Sequence, residues 1–134
     1  HPLGDMAQQA MLRVGTLYAD YLNNPEKAME AWRDLLEKYP GSPEAVNAQY
    51  AVGTHYLEKD DFVQAEKAIT LFLSSFPNHP KAADALIDLA ECHRGQREWL
   101  KALDDYQSFL NRYPRSPRVK TVEEEIAWIK KYRF

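Results

Sequence analysis

The chain has one cysteine, Cys92, so no internal disulfide can form. That suits the cytosol and does not exclude an oxidising compartment. Its five glycines are each isolated, so no glycine-rich phosphate loop is present. The net charge of −3 leaves no basic footprint for nucleic acid or an anionic membrane. No apolar run approaches the roughly 20 residues that span a bilayer, and no signal peptide is visible. The four histidines, His1, His55, His79 and His93, are scattered, with no H-E-x-x-H or C-x-x-C spacing. Catalysis, a metal and a cofactor are therefore not expected. The chain opens at His1 without an initiator Met and reads as an excised domain or a processed form.

What remains is ordinary for a globular protein: 45% hydrophobic and 28% charged over 134 residues, enough for one domain with a real core. The ordering principle is a repeat. Tyr39-Pro40-Gly41-Ser42-Pro43 returns as Phe76-Pro77-Asn78-His79-Pro80 and as Tyr113-Pro114-Arg115-Ser116-Pro117, 37 residues apart each time. Each copy reads as an aromatic closing one helix, a Pro-led turn, and a second Pro opening the next helix. Within each interval the chain breaks again. Asn24, Asp61 and Glu98, also 37 apart, stand at N-cap positions; Asp61 with Gln64 has the capping-box pattern. Gly95 reads as a left-handed helix stop.

Small residues mark where helices approach: Gly15, Gly53 and Ala90 on the first helices, Ala28, Ala65 and Ala102 on the second. Trp32, Ile69 and Tyr106, four residues after those alanines, are expected to fill the gap toward the next pair. One pair cannot cover its own apolar face, so pairs must stack.

Small-x-x-aromatic, then Ala-x-x-x-aromatic, then Pro resembles the tetratricopeptide repeat. The run from Phe76 to Leu86 is similar to repeats of bacterial envelope proteins, the periplasmic Tol-Pal coordinator and the outer-membrane barrel-assembly lipoprotein among them. The resemblance implies an all-α, right-handed α-solenoid of three helix pairs plus a C-terminal capping helix. The expected single domain spans 5–134, with units at about 5–40, 43–77 and 80–114 and the cap at about 117–134. Val119, Val122, Ile126 and Ile129 form the cap's apolar stripe.

The first helix of each pair lines the concave side of such a solenoid. Counted from the small residues, the groove positions are Gln9, Leu12, Thr16 and Asp20, then Asn47, Tyr50, Thr54 and Glu58, then Asp84, Ile87, Glu91 and Arg94, with Glu124, Trp128 and Lys131 from the cap. Leu12, Tyr50, Ile87 and Trp128 are the expected apolar contacts. The resemblance implies Lys and Asn clamps where a groove holds a carboxylate terminus; Asp20, Glu58, Asp84 and Glu91 argue against that clamp, with Arg94 the exception. An acidic groove prefers a basic, partly apolar peptide or helix.

His93 falls where Tyr18 and Tyr56 stand in the other units and reads as a packing residue; Cys92 reads as an inert helical thiol. Asp104-Asp105 and Glu123-Glu124-Glu125 read as solvated faces. The expected function is a non-catalytic protein–protein interaction scaffold that binds a protein or peptide partner, with neither nucleic-acid binding nor membrane insertion. A bacterial periplasmic or cell-envelope location is favoured, with the cytoplasm as the alternative. The competing readings are a self-association module forming a homo-oligomer, and a regulatory domain excised from a larger protein.

Overall fold

Among the described residues seven helices follow one another: α1 (Pro2–Asp20), α2 (Pro25–Lys38), α3 (Pro43–Glu58), α4 (Phe62–Ser75), α5 (Ala82–Gly95), α6 (Trp99–Arg112) and α7 (Val119–Tyr132). The computed structural model describes residues 2–134, with side chains from Met6 onward; His1 lies outside the described residues. The described residues form no strand. The closest packing is within α1–α2, α3–α4 and α5–α6. Pairs join through α2–α3 and α4–α5, α7 packs on α6, and α1–α3 and α3–α5 also touch. This is an all-α solenoid of helix pairs ending in a single helix.

The small residues act as expected. Ala28, Ala65 and Ala102 are fully buried, and Trp32, Ile69 and Tyr106 are nearly so. A Cβ placed on Gly15 would lie 2.3 Å from Trp32 Nε1, and one on Gly53 would lie 2.6 Å from Ile69 Cγ1. The large residue therefore packs first within its own pair, against the small residue opposite. Trp32 also reaches the next pair, edge-on to His55 at 6.1 Å. On α7, Val122 and Ile129 are buried, with Val119 and Ile126 packed beside them.

The corners differ from expectation in three respects. Pro43 does open α3, with Ser42 Oγ accepting from Ala45 N–H at 3.1 Å. Pro80 and Pro117 do not open helices. They stand in turns, and α5 and α7 begin two residues later, because Lys81 N–H bonds His79 Nδ1 at 3.1 Å and Arg118 N–H bonds Ser116 Oγ at 3.2 Å. At the inner loops, Asn24 and Asp61 cap as expected, but Glu98 makes no side-chain cap bond.

Gly95 is not a left-handed stop. It ends α5 close against Phe62, whose Cδ2 would lie 2.5 Å from an added Cβ. Among the described residues, the left-handed ones other than glycine are Asn23 (φ 47°), Asp60 (φ 57°) and Arg97 (φ 61°), again spaced by 37. Each lets the next N–H turn back onto the preceding helix: Asn24 to Tyr18 O, Asp61 to Tyr56 O and Glu98 to His93 O, at 2.8–2.9 Å.

Candidate functional site

The expected groove residues separate into groups. Thr16 and Asp20 of α1 meet Thr54 and Glu58 of α3 around a cleft of about 160 Å³ floored by Trp32. Thr16, Asp20 and Glu58 are exposed and Thr54 is half-buried. The lining carries two carboxylates and no lysine or arginine. His55, also in the wall, is held below its usual pKa by burial and then by Lys59, so it adds no positive charge at neutral pH.

A second cleft of about 320 Å³ gathers Glu91, Arg94 and Trp128 with Phe62, Gly95, Trp99 and Arg133. It opens where α5 ends, α6 begins and α7 ends, so the Gly95–Phe62 contact forms part of its wall. Arg94 pairs with Glu125 of α7 and lies over the Trp128 ring at 5.5 Å. Arg133 stacks over Trp99 at 4.7 Å and over Trp128 at 5.1 Å. Trp128 thus has two guanidinium groups at its ring, and Arg94 already has a counter-charge. Glu125 was expected on a solvated face; its pairing across helices overturns that.

Three apolar expectations shift. Ile87 is 4% exposed and belongs to the core of α5, α6 and α7. Its side chain therefore does not stand in the groove, because it is packed among the residues of α5, α6 and α7. Leu12 is half-buried against the first cluster. Tyr50 is half-buried, edge-on to Phe72 at 5.2 Å. Its hydroxyl donates to Asp88 Oδ2 at 2.6 Å. Beside it, Asp84 accepts from Arg118 at 2.8 Å.

Sequence reasoning missed a polar cluster on the other side of α5. His93 is 8% exposed, with Nδ1 against Asp105 and Nε2 2.5 Å from Glu66 Oε1. It fills the slot of Tyr18 and Tyr56, as expected, but as a hydrogen-bonding residue. Asp105 is not solvated: it turns inward one helical step from exposed Asp104. Glu66, His93 and Glu98 are the residues able to hold a metal ion among those described. Cys92 is fully buried, and burial pushes its thiol up to about 12, so it is not a thiolate at neutral pH.

Comparison with known proteins supports this architecture. A solved structure, the N-terminal domain of stress-induced protein-1 (STI-1) from C. elegans, matches with a TM-score of 0.73 and 18% identity, covering 88% of this chain and 93% of that one. At that identity the likeness is one of fold. No curated protein matches the sequence. The family model YfiO, described as an outer membrane lipoprotein, matches residues 1–132. Helix pairs repeating every 37 residues, together with that match over nearly the whole length, make this a tetratricopeptide-type repeat protein that belongs to the YfiO outer membrane lipoprotein family.

Proposed function

We propose that this chain is a non-catalytic scaffold of the bacterial cell envelope that holds a peptide or helix of a partner protein along α1 and α3. The observation that carries the reading is the cleft of Thr16, Asp20, Thr54 and Glu58. It is open, its two acids have no salt-bridge partner among the described residues, and an indole forms its floor. A segment with a basic residue flanked by apolar ones satisfies both the carboxylates and the indole. The Arg94–Trp128–Arg133 cleft lies at the other end of the helix row and offers a second, cationic-aromatic contact for the same extended partner. Membership in an outer membrane lipoprotein family supports an envelope location. None of the helices is long and apolar enough to cross a membrane.

The test is photo-crosslinking from position 54 in envelope preparations, with and without Asp20→Lys and Glu58→Lys. A single crosslinked partner lost on charge reversal supports the cleft as the grip. A crosslink that survives charge reversal assigns the grip elsewhere.

A further inference from the structure

The His93 cluster has too many acids for its cations. Glu66 comes from α4, His93 from α5, and Glu98 from the loop residue before α6. One ligand atom from each lies within 4.8 Å of the others. Asp105 of α6 adds a third carboxylate on the far side of the imidazole. The nearest lysine, Lys101, lies 3.0 Å from Glu98 Oε2 on a largely exposed side chain. That oxygen is itself buried, and this ion pair is its one polar contact among the described residues. Three carboxylates thus face one imidazole and one outlying ammonium. Like charges gathered at a partly buried spot repel one another, and a cation placed among them relieves that repulsion.

The imidazole is oriented as a ligand. A metal-bound histidine commonly donates its other ring N–H to a carboxylate, which fixes the tautomer. Asp105 provides that carboxylate at Nδ1, which leaves the Nε2 lone pair facing Glu66 and Glu98. We propose that Glu66, His93 Nε2 and Glu98 bind a divalent first-row transition metal ion, zinc being the probe of choice, with Asp105 as the positioning residue. One nitrogen and two carboxylate oxygens suit zinc, cobalt or manganese better than calcium, which takes oxygen ligands. Water completes the coordination on the exposed side of Glu98. The ion would tie α4 to α5 and to the start of α6, joining the second pair to the third. Buried, protonated Cys92 takes no part.

The experiment uses the whole chain, stripped with chelator, and Zn²⁺ alone as titrant. Calorimetry is expected to give one site, and the melting temperature to rise by several degrees at saturation. Co²⁺ is expected to give a visible absorption band with the same stoichiometry. Because His93→Gln removes a buried group and is liable to unfold the chain, the decisive variants are Glu98→Gln and Asp105→Asn. Glu98→Gln is expected to weaken Zn²⁺ at least tenfold while the metal-free melting temperature stays near that of the parent. Asp105→Asn, which replaces no ligand but alters the group that orients His93, is expected to weaken it by roughly 10–100-fold. Zinc affinity unchanged in Glu98→Gln, or the absence of a saturable single site in the parent, overturns the proposal.

Discussion

The Tyr50 hydroxyl donates to Asp88 Oδ2 at 2.6 Å, joining α3 to α5 across the boundary between two pairs. Neither group is free to change charge at little cost. Asp88 is raised above its ordinary carboxylate range by burial, against the lowering effects of Tyr50 and Arg118. Tyr50→Phe leaves that carboxylate without its donor. It is expected to destabilise the chain by about 1–3 kcal/mol, read by urea denaturation with an unchanged m-value.

The same pair sets a pH dependence. Burial, followed by the bond to Asp88, raises the Tyr50 phenol well above its ordinary value of 10.0. A raised folded-state value means that its contribution is full below pH 10.0 and is lost as pH climbs further, because the unfolded chain ionises first. Stability is therefore expected to fall steeply above about pH 10, and Tyr50→Phe to flatten that limb. Asp88 works in the same sense over an acid window. Its raised value makes the ionised folded state costly above that value, and the cost lifts as pH drops through it toward 3.8. Asp88→Asn, which still accepts from Tyr50, is expected to melt at or above the parent temperature at pH 7.

Gly15 and Trp32 define a fixed volume. Gly15→Ala puts a Cβ 2.3 Å from the indole nitrogen. Overpacking costs about 1–3 kcal/mol, partly offset by about 1 kcal/mol of helix propensity. A net loss of stability is expected. Adding Trp32→Leu to Gly15→Ala should cost less than the sum of the single changes, and the coupling is read from a double-mutant cycle.

Arg97 adopts a left-handed backbone that suits its counterparts Asn23 and Asp60 better. Arg97→Gly removes the Cβ penalty, worth about 1–2 kcal/mol, against the added freedom of the unfolded chain. A small net gain in melting temperature is expected. The same change at Leu57, where the helix is regular, should lower it.

Arg94→Ala unpairs Glu125 and uncovers one face of Trp128. The pair is partly exposed, so its direct worth is no more than about 1 kcal/mol. The effect should be local: faster amide exchange over Val122–Ile129 and red-shifted tryptophan emission, with exchange in α1–α4 unchanged.

Sequence periodicity carried most of this fold. The 37-residue register marked Ala28, Trp32, Ala65, Ile69, Ala102 and Tyr106 as core, and all are buried. The register names a face and a slot, but not which residue on a neighbouring helix meets it. Asp105 and Asp104 look alike in sequence, yet a rotation of roughly 100° turns one toward His93 and leaves the other in water. Ile87 was assigned to the groove because the count ignores how α6 and α7 pack on α5. A polar residue in an aromatic slot was the available clue: buried His93 required partners, and the inward position next to Tyr106 supplied one. The left-handed residues escaped notice because Asn, Asp and Arg share no composition, only a spacing.

Among the described residues, each pair packs chiefly on its neighbours in the stack. The chain is therefore expected to lose structure from its ends, one pair at a time, as a stack rather than as a sphere. A ligand that spans two pairs would act as a clamp against unravelling, so a partner lying along α1 and α3 would change how much pulling force the first interface between pairs withstands. Tension along the chain would in turn be felt as affinity.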